Sequence, residues 1–389
     1  MAAPTSYRRL AARSIRGALI LLGVSLRGLA AQEGCEFGEE GNDVLDQQTV
    51  PGSGTITYVT RPHFVCADGV QIWADSAVAY SADALSHLIG SVRYLDRSRE
   101  LTSEEARYFS NVGRLQASGS VVVVDRADGS RVENGDLVYL RSTSSRAEES
   151  MTVTTGSDGL RPRATMPPPP PSDSSEVEQA ERAPYTVVGD RIVFRGSSYF
   201  SSTGNVEIEQ DSLFAFADSA EYEEVSDRRV LVGSARVESA DFDLVGRTIT
   251  LGTSGAGANE IRAVREAVLT GEDLTLTAPQ IRLYTQDGTL ERLVAVPLAA
   301  DSGTAPDGAD AIQPVALAEG FELTGDSLDL TTREEAVDRI LAAGRARSVS
   351  HARDSLNVET LPELALTDWL EGDTIEVTLT PAEPDTTAA

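Results

Sequence analysis

Apolar and polar positions alternate with a period of two along most of this chain. Leu115, Ala117, Gly119, Val121 and Val123 fall on one face, with Gln116, Ser118 and Ser120 on the other. Val206 and Ile208 stand against Asn205, Glu207 and Glu209, while Phe214, Phe216, Ala220 and Tyr222 read as a further apolar row. Alternation sustained over such lengths predicts half-buried strands, paired two by two through polar turns.

The strands recur as a repeat. Ile72 to Val92 states it most fully: an acidic turn, a run of alternating side chains, a second turn, then Leu-x-Gly-x-Val. Asp75, Glu104 and Asp218 are each followed fifteen positions later by the glycine of a Gly-x-apolar triplet, at Gly90, Gly119 and Gly233. Asp190 leads to Gly204 in fourteen. Ala-Asp-Ser-Ala occurs twice, at 74–77 and 217–220, and Ala-x-Tyr follows the acidic position at Ala106 to Tyr108 and Ala220 to Tyr222. Weaker copies begin at Gly135, Gly189, Gly246, Ala278, Gly325 and Gly372, and the turn-to-turn steps of 29 and 32 residues from Asp75 return unchanged from Asp218. A fixed period of this size marks an array of supersecondary units, here about nine. Repetition assigns the acidic positions Asp75, Asp136, Asp190, Asp218, Asp326 and Asp373 to turn formation, since Asp side chains bond nearby backbone N–H groups.

Composition changes divide the chain. Residues 1–31 have a basic start, a short apolar run from Gly17 to Leu26 and small residues at Gly28, Ala30 and Ala31, the three parts of a secretory signal cleaved near Ala31. The apolar run is about half of the ~20 residues that span a bilayer. Residues 32–59 form an N-terminal arm, 60–145 a first lobe, and 184–380 a second. Between the lobes, 146–183 carries five consecutive prolines, Pro167 to Pro171, and reads as a disordered linker or insertion. Smaller insertions fall at 299–314 and 350–362, and 381–389 reads as a disordered tail. No later segment is apolar enough to cross a membrane as a helix.

The formal charge is −28, and removal of Arg8, Arg9, Arg13, Arg16 and Arg27 with the signal takes it to −33. Such a surface repels phosphate backbones, which argues against nucleic-acid binding. Aromatic residues make up 5% of the sequence, which suits thin layers of Val, Leu, Ile and Ala better than one large core. The two cysteines, Cys35 and Cys66, both follow the cleavage site; a disulfide tying the arm to the first strand region is the simplest account in an oxidising compartment. Two free thiols and a reactive thiol are the alternatives.

Chemistry-bearing motifs are sparse. His63, His87 and His351 are scattered, and no H-x-x-x-H or Cys-x-x-Cys spacing offers a transition-metal site. No Gly-x-Ser-x-Gly elbow is present, and the glycines at 252–257 lack the lysine of a P-loop. Carboxylates are abundant, but a glycosidase needs a singular opposed pair, whereas these repeat. Neither a catalytic residue nor a cofactor is expected. The apolar faces remain: either they close into a dry core, or two rows of strands splay and leave a groove wide enough for acyl chains. Periodicity alone favours neither.

On Ala74-Asp75-Ser76-Ala77 with its Leu-x-Gly-x-Val strand, its echo at 217–237, the strand Gly204 to Ile208 and Gly372 to Ile375, the chain resembles the OstA-like family of lipopolysaccharide transport proteins, which includes LptA, LptC and the N-terminal domain of LptD. The resemblance spans roughly 60–145 and 185–380. It implies an all-β, repetitive antiparallel β-jellyroll, a V-shaped slide in two lobes or one elongated array, located in the periplasm, with association to the outer membrane as a further expectation. Acyl chains of lipopolysaccharide would lie inside, the sugar outside, and other jellyroll proteins of that type would join through edge strands. The chain is much longer than single jellyrolls of the family and carries nothing resembling a C-terminal barrel. Arginines at Arg93, Arg97 and Arg99 are the candidates to meet phosphate on an otherwise acidic surface.

The expected function is therefore that of an exported, non-enzymatic lipid carrier or bridge. By parity its groove would be lined by Ile72, Ala74, Val92, Tyr94, Val121, Val123, Val206, Ile208, Phe214, Phe216, Tyr222 and Val237. A one-residue register slip would invert any strand. The alternatives are a structural or adhesive β-solenoid with a dry core and, behind it, a carbohydrate-active β-helix enzyme.

Overall fold

The computed structural model describes residues 35–39, 41–51, 54–66, 68–167, 183–223, 228–253, 259–272, 274–286, 289–298, 312–318, 320–333, 336–350 and 368–378. The expected signal peptide and tail, and most of the two smaller insertions, lie outside these residues. The described chain is built of β1 (Cys35–Phe37), β2 (Asp43–Val50), β3 (Gly54–Thr60), β4 (His63–Cys66), β5 (Gln71–Trp73), β6 (Ser76–Tyr80), β7 (Leu85–Leu95), β8 (Arg99–Phe109), β9 (Arg114–Ser118) and β10 (Val122–Asp125). It continues through β11 (Arg131–Glu133), β12 (Asp136–Leu140), β13 (Ser150–Thr154), β14 (Arg163–Met166), β15 (Tyr185–Val188), β16 (Arg191–Arg195), β17 (Tyr199–Gln210), β18 (Leu213–Glu223) and β19 (Arg228–Glu238). The last are β20 (Asp243–Thr253), β21 (Asn259–Thr270), β22 (Leu274–Gln286), β23 (Thr289–Val296), β24 (Val315–Ala318), β25 (Phe321–Thr324), β26 (Ser327–Arg333), β27 (Ala336–Ser350) and β28 (Asp368–Thr378).

Pairing is antiparallel throughout and runs as two ladders. The first passes β1-β4-β5-β7-β8-β10-β11-β14-β15 and continues through β17 to β22, then β24-β25-β27-β28. The second passes β2-β3-β6-β7-β8-β9-β12-β13-β16, again through β17 to β22, then β23-β26-β27-β28. The long strands belong to both ladders, half to each. Their inner faces meet in one apolar cluster that extends from Phe64 to Ile375. This is an all-β jellyroll in which each long strand turns a corner between two facing sheets.

The corner explains the repeat. The inner row on either side of the corner is Leu101 and Ser103, then Ala106 and Tyr108 on β8; Ala215 and Ala217, then Ala220 on β18; and Leu276 and Ala278, then Ile281 and Leu283 on β22, where Gln280 is buried as well. The inner row thus skips three positions at the corner rather than two. On the neighbouring strands it skips four, Leu88 to Val92 on β7 and Leu231 to Ala235 on β19, because two residues bulge out of the ladder there. The bulges with both residues at positive φ are Gly90-Ser91, Gly119-Ser120, Gly204-Asn205, Gly233-Ser234, Arg265-Glu266 and Gly344-Arg345, and five of these six open on glycine. A left-handed first residue is the reason for glycine at this place.

The acidic residue faces the bulge. Backbone N–H groups of Asp75, Glu104 and Asp326 donate to the carbonyls of Gly90, Gly119 and Gly344 at 2.8, 2.8 and 2.7 Å. Their carboxylates accept from Ser91 Oγ at 3.0 Å, Ser120 Oγ at 2.7 Å and the Arg345 guanidinium at 2.6 Å. Of these acids, expected in turns, Asp75 and Asp326 stand in the bends between β5 and β6 and between β25 and β26, whereas Glu104 stands at a corner inside β8, as Asp218 does inside β18 and Asp373 inside β28. Hydrogen bonds from Arg345 and Gln313 hold the Asp326 carboxyl below the usual carboxylate range.

The expected linker is likewise corrected in part. Within 146–183, β13 pairs with both β12 and β16, and β14 with both β11 and β15. Alternating burial at Met151, Val153 and Ala164 gives these segments an inner face of their own, so both ladders pass from the first lobe to the second without a break.

Candidate functional site

Most of the expected groove residues lie in a closed interior. Ile72, Val92, Tyr94, Val121, Val123, Val206 and Val237 are at most 3% exposed, and Ala74 is 9% exposed. Toward the strand ends farthest from the corner the inner row opens. On β17 it runs from buried Val206 to half-buried Ile208; on β18, from Ala215 to Leu213 in one direction and from Ala220 to Tyr222 in the other. On β20 buried Ile249 is followed by half-buried Leu251. Met166, Ile208, Leu213, Phe242, Ala318 and Phe321 form such a row along the first sheet. Phe194, Tyr222, Leu251, Leu290, Val337 and Val377 match it along the second. Every one of them packs on the core and keeps part of its surface in solvent. These two lips are the apolar surface a ligand entering between the sheets would meet.

Two of the candidate groove residues point elsewhere. Phe214 is 40% exposed and Phe216 lies on the same outer face, while the inner positions of that half-strand are Leu213, Ala215 and Ala217. Continuing the period of two back from Ala220 puts the phenylalanines inside; the three-residue step at Asp218 puts them outside. Their cross-strand neighbours are correspondingly polar, Glu209 and Glu238 beside Phe214, Glu207 and Arg236 beside Phe216.

In the first third of the array the far end is bridged by polar side chains. Tyr94, from the first sheet, packs on Tyr108 and Tyr139 of the second with ring centroids 5.9 and 6.2 Å apart. Tyr94 and Tyr139 donate to Asp96 Oδ2 at 3.0 and 3.2 Å, and Tyr139 also to Glu149 at 2.8 Å. Arg99, 7% exposed, pairs with Glu149 at 2.7 Å and Asp125 at 3.6 Å and lies over the Tyr139 ring. Burial, with the Asp96 charge second, raises the hydroxyls of Tyr94 and Tyr139 far above the usual tyrosine range. A buried arginine with two carboxylate partners is no surface cation, so Arg99 is not available to a phosphate. Arg93 is engaged as well, with Glu100 at 2.7 Å and over the Trp73 ring.

Neither a protein-family profile nor a curated protein matches this chain. Among solved structures it is similar to LptH of Pseudomonas aeruginosa, described as the LptA-homologous periplasmic component of the conserved lipopolysaccharide transport device. The likeness has a TM-score of 0.27 at 18% identity and covers 41% of this chain and 93% of that one.

Cys35 and Cys66 face each other across β1 and β4 and are joined as a disulfide. His63 stacks on Trp73 at 4.7 Å between ring centroids, and His87 bonds Glu105 at 2.8 Å. Among the described residues no group of three or more His, Cys, Asp and Glu is placed to hold a metal, and no helix is long and apolar enough to cross a membrane. Sequence reasoning missed the lip residues Leu213, Leu251 and Leu290. The signal was present for two of them: Leu213 and Leu251 lie on the apolar parity of their own half-strands once the parity is restarted at the corner, whereas Leu290 lies three positions from Leu293, beyond a register shift.

Proposed function

We propose that this protein is an exported, non-enzymatic lipid carrier that holds acyl chains between its two sheets. The observation that carries this reading is the pair of half-buried apolar lips from Met166 and Phe194 onward, which follow both ladders toward β28. Each CH₂ moved from water into such a cleft contributes about 0.8 kcal/mol, so a continuous slot retains several chains without one special residue. The resemblance to the OstA-like family supports lipopolysaccharide or a similar glycolipid as the lipid and the periplasm as the place. Among the described residues β28 pairs on one side only, with β27, and its Trp369 and Leu370 are 63% and 59% exposed. That edge suits addition of a partner's strand.

A structural array with a dry core is the second reading. It is favoured by the complete burial of Ile249, Ala263, Leu276 and Leu328. Photo-crosslinking separates the two. A photoreactive residue at Ile208 or Leu251 should capture lipopolysaccharide, while one at Phe214 should not. A folded protein that labels at none of these positions defeats the carrier reading, and equal labelling at Phe214 defeats the groove.

A further inference from the structure

A cavity of about 420 Å³ opens where the β4–β5 turn, the β8–β9 turn and the segment after β12 converge. Asp68, Tyr108 and Arg141 line it, with Asn111 and the hydroxyl side chains of residues 142–145. Its size lies within the roughly 300–1,000 Å³ of small-molecule sites. Three observations set it apart from a surface dent. Arg141 is bonded to Asp68 across it, and the Arg141 side chain is only 15% exposed. The Nε of that arginine has no partner. Tyr108, 1% exposed, also has an unpartnered hydroxyl, whereas the hydroxyls of its neighbours Tyr94 and Tyr139 are bonded. Buried polar groups find partners in folded proteins, so two unmatched buried donors on residues that line one polar cavity mark a place where something else supplies the acceptors.

The chemistry of the walls selects what that is. Asp68 and Arg141 together carry no net charge, and they set an acceptor beside a donor. The surrounding hydroxyls and amide both donate and accept. A phosphate would find one arginine already neutralised by a carboxylate, on a chain of formal charge −28. A ligand whose own groups each donate and accept matches every wall. We propose that this cavity is a saccharide-binding site, with Tyr108, Arg141 and Asp68 as its bonding residues. Burial pushes the Tyr108 hydroxyl up to about 12, so it stays a donor at neutral pH. The site is independent of the acyl-chain reading: the sugar can be free glycan or the headgroup of a glycolipid.

The test uses the mature full-length chain and saturation-transfer NMR with soluble hexoses, N-acetylhexosamines and their disaccharides. Octyl glucoside below its micelle concentration is a second arm and inorganic phosphate a third. Transfer from a soluble sugar is expected, with affinity weakened about tenfold by Tyr108→Phe, the loss of one hydrogen bond. Asp68→Asn, at an exposed position, should weaken it similarly. Octyl glucoside binding tighter than glucose, and weakened by Tyr108→Phe as glucose is, supports the site as one for a lipid headgroup, and equal binding supports it as one for free glycan. No transfer from any sugar to the folded protein overturns the proposal, as does sugar affinity unchanged in Tyr108→Phe. Binding of phosphate alone overturns it in favour of an oxyanion site. Sugars without acyl chains do not probe the lips, so this result and the crosslinking result fail separately.

Discussion

Asp75 donates its backbone N–H to the carbonyl oxygen of Gly90 at 2.8 Å, across the corner where β5 gives way to β6. Gly90 has φ +76°, and a Cβ on it would fall on the Asp75 side chain. Gly90→Ala should therefore lower stability by about 1–3 kcal/mol, through left-handed strain and the clash together. Gly69→Ala is the matched control: its φ is +88°, but nothing lies within 4 Å of the added carbon, so only the backbone cost of about 1 kcal/mol remains. Urea midpoints of the two variants decide the point, and equal losses would remove the contact from the explanation.

The same relationship shows how far the sequence was readable. Spacing of fifteen residues from acid to glycine was visible, and so was the all-strand character, because period two and a repeated turn signal are local properties; the number of strands was not, since nine units of two strands fall short of the 28 described. What the acid does was not. A corner inside a strand and a turn between strands use the same residue types, and only the ladder shows that Asp218 has strand on both sides. The error on Phe214 and Phe216 follows from that, since a corner resets the parity. The segment 146–183 misled for another reason: β13 and β14 are short and sit next to the proline run, so composition averaged over the whole segment hid two paired strands.

Adjacent residues on β18 give a direct test of which face meets lipid. Leu213 is half-buried on the inner row, whereas Phe214 is 40% exposed on the outer one. Leu213→Asp should reduce binding of a fluorescent fatty-acid probe at least about tenfold, as a charge in an apolar cleft must keep its water. Phe214→Asp should leave it unchanged. The reverse pattern in probe displacement would place the ligand on the outside of the sheet.

Arg99 holds Glu149 and Asp125 at the far end of the first sheet. Arg99→Met should cost about 3 kcal/mol, because two carboxylates about three-quarters buried lose their cation. Pairing it with Glu149→Gln should recover part of that loss, since one of the stranded charges is then gone. A double-mutant cycle by chemical denaturation measures this coupling, and strictly additive losses would show that the pair acts independently.

The Cys35–Cys66 disulfide fastens a three-residue strand to the end of the first ladder. In an array whose units touch mainly their neighbours, such an end opens locally. Reduction should speed amide exchange at Phe64 and Cys66 while leaving amides of β20 and β21 protected as before. Loss of protection through the whole array would mean that folding depends on this clasp.

High pH should unfold the protein through its buried tyrosines. Tyr108 is raised from 10.0 to about 12 by burial, and Tyr94 and Tyr139 lie higher still for the same cause. A hydroxyl whose ionisation is harder in the folded than in the unfolded chain contributes its full stability below pH 10 and loses it as pH rises through the folded value. For Tyr108 alone this difference is about 2–3 kcal/mol, and the other two add to it, so ionisation and unfolding become one event. The ten tyrosines of the sequence should then titrate in two phases of ultraviolet absorbance. Exposed ones ionise near 10, and a second, cooperative group follows with loss of the β circular-dichroism signal. Tyr108→Phe should shrink the second phase. A single phase near 10, with the β signal intact, would show that water reaches these hydroxyls and that the far end of the first sheets is open.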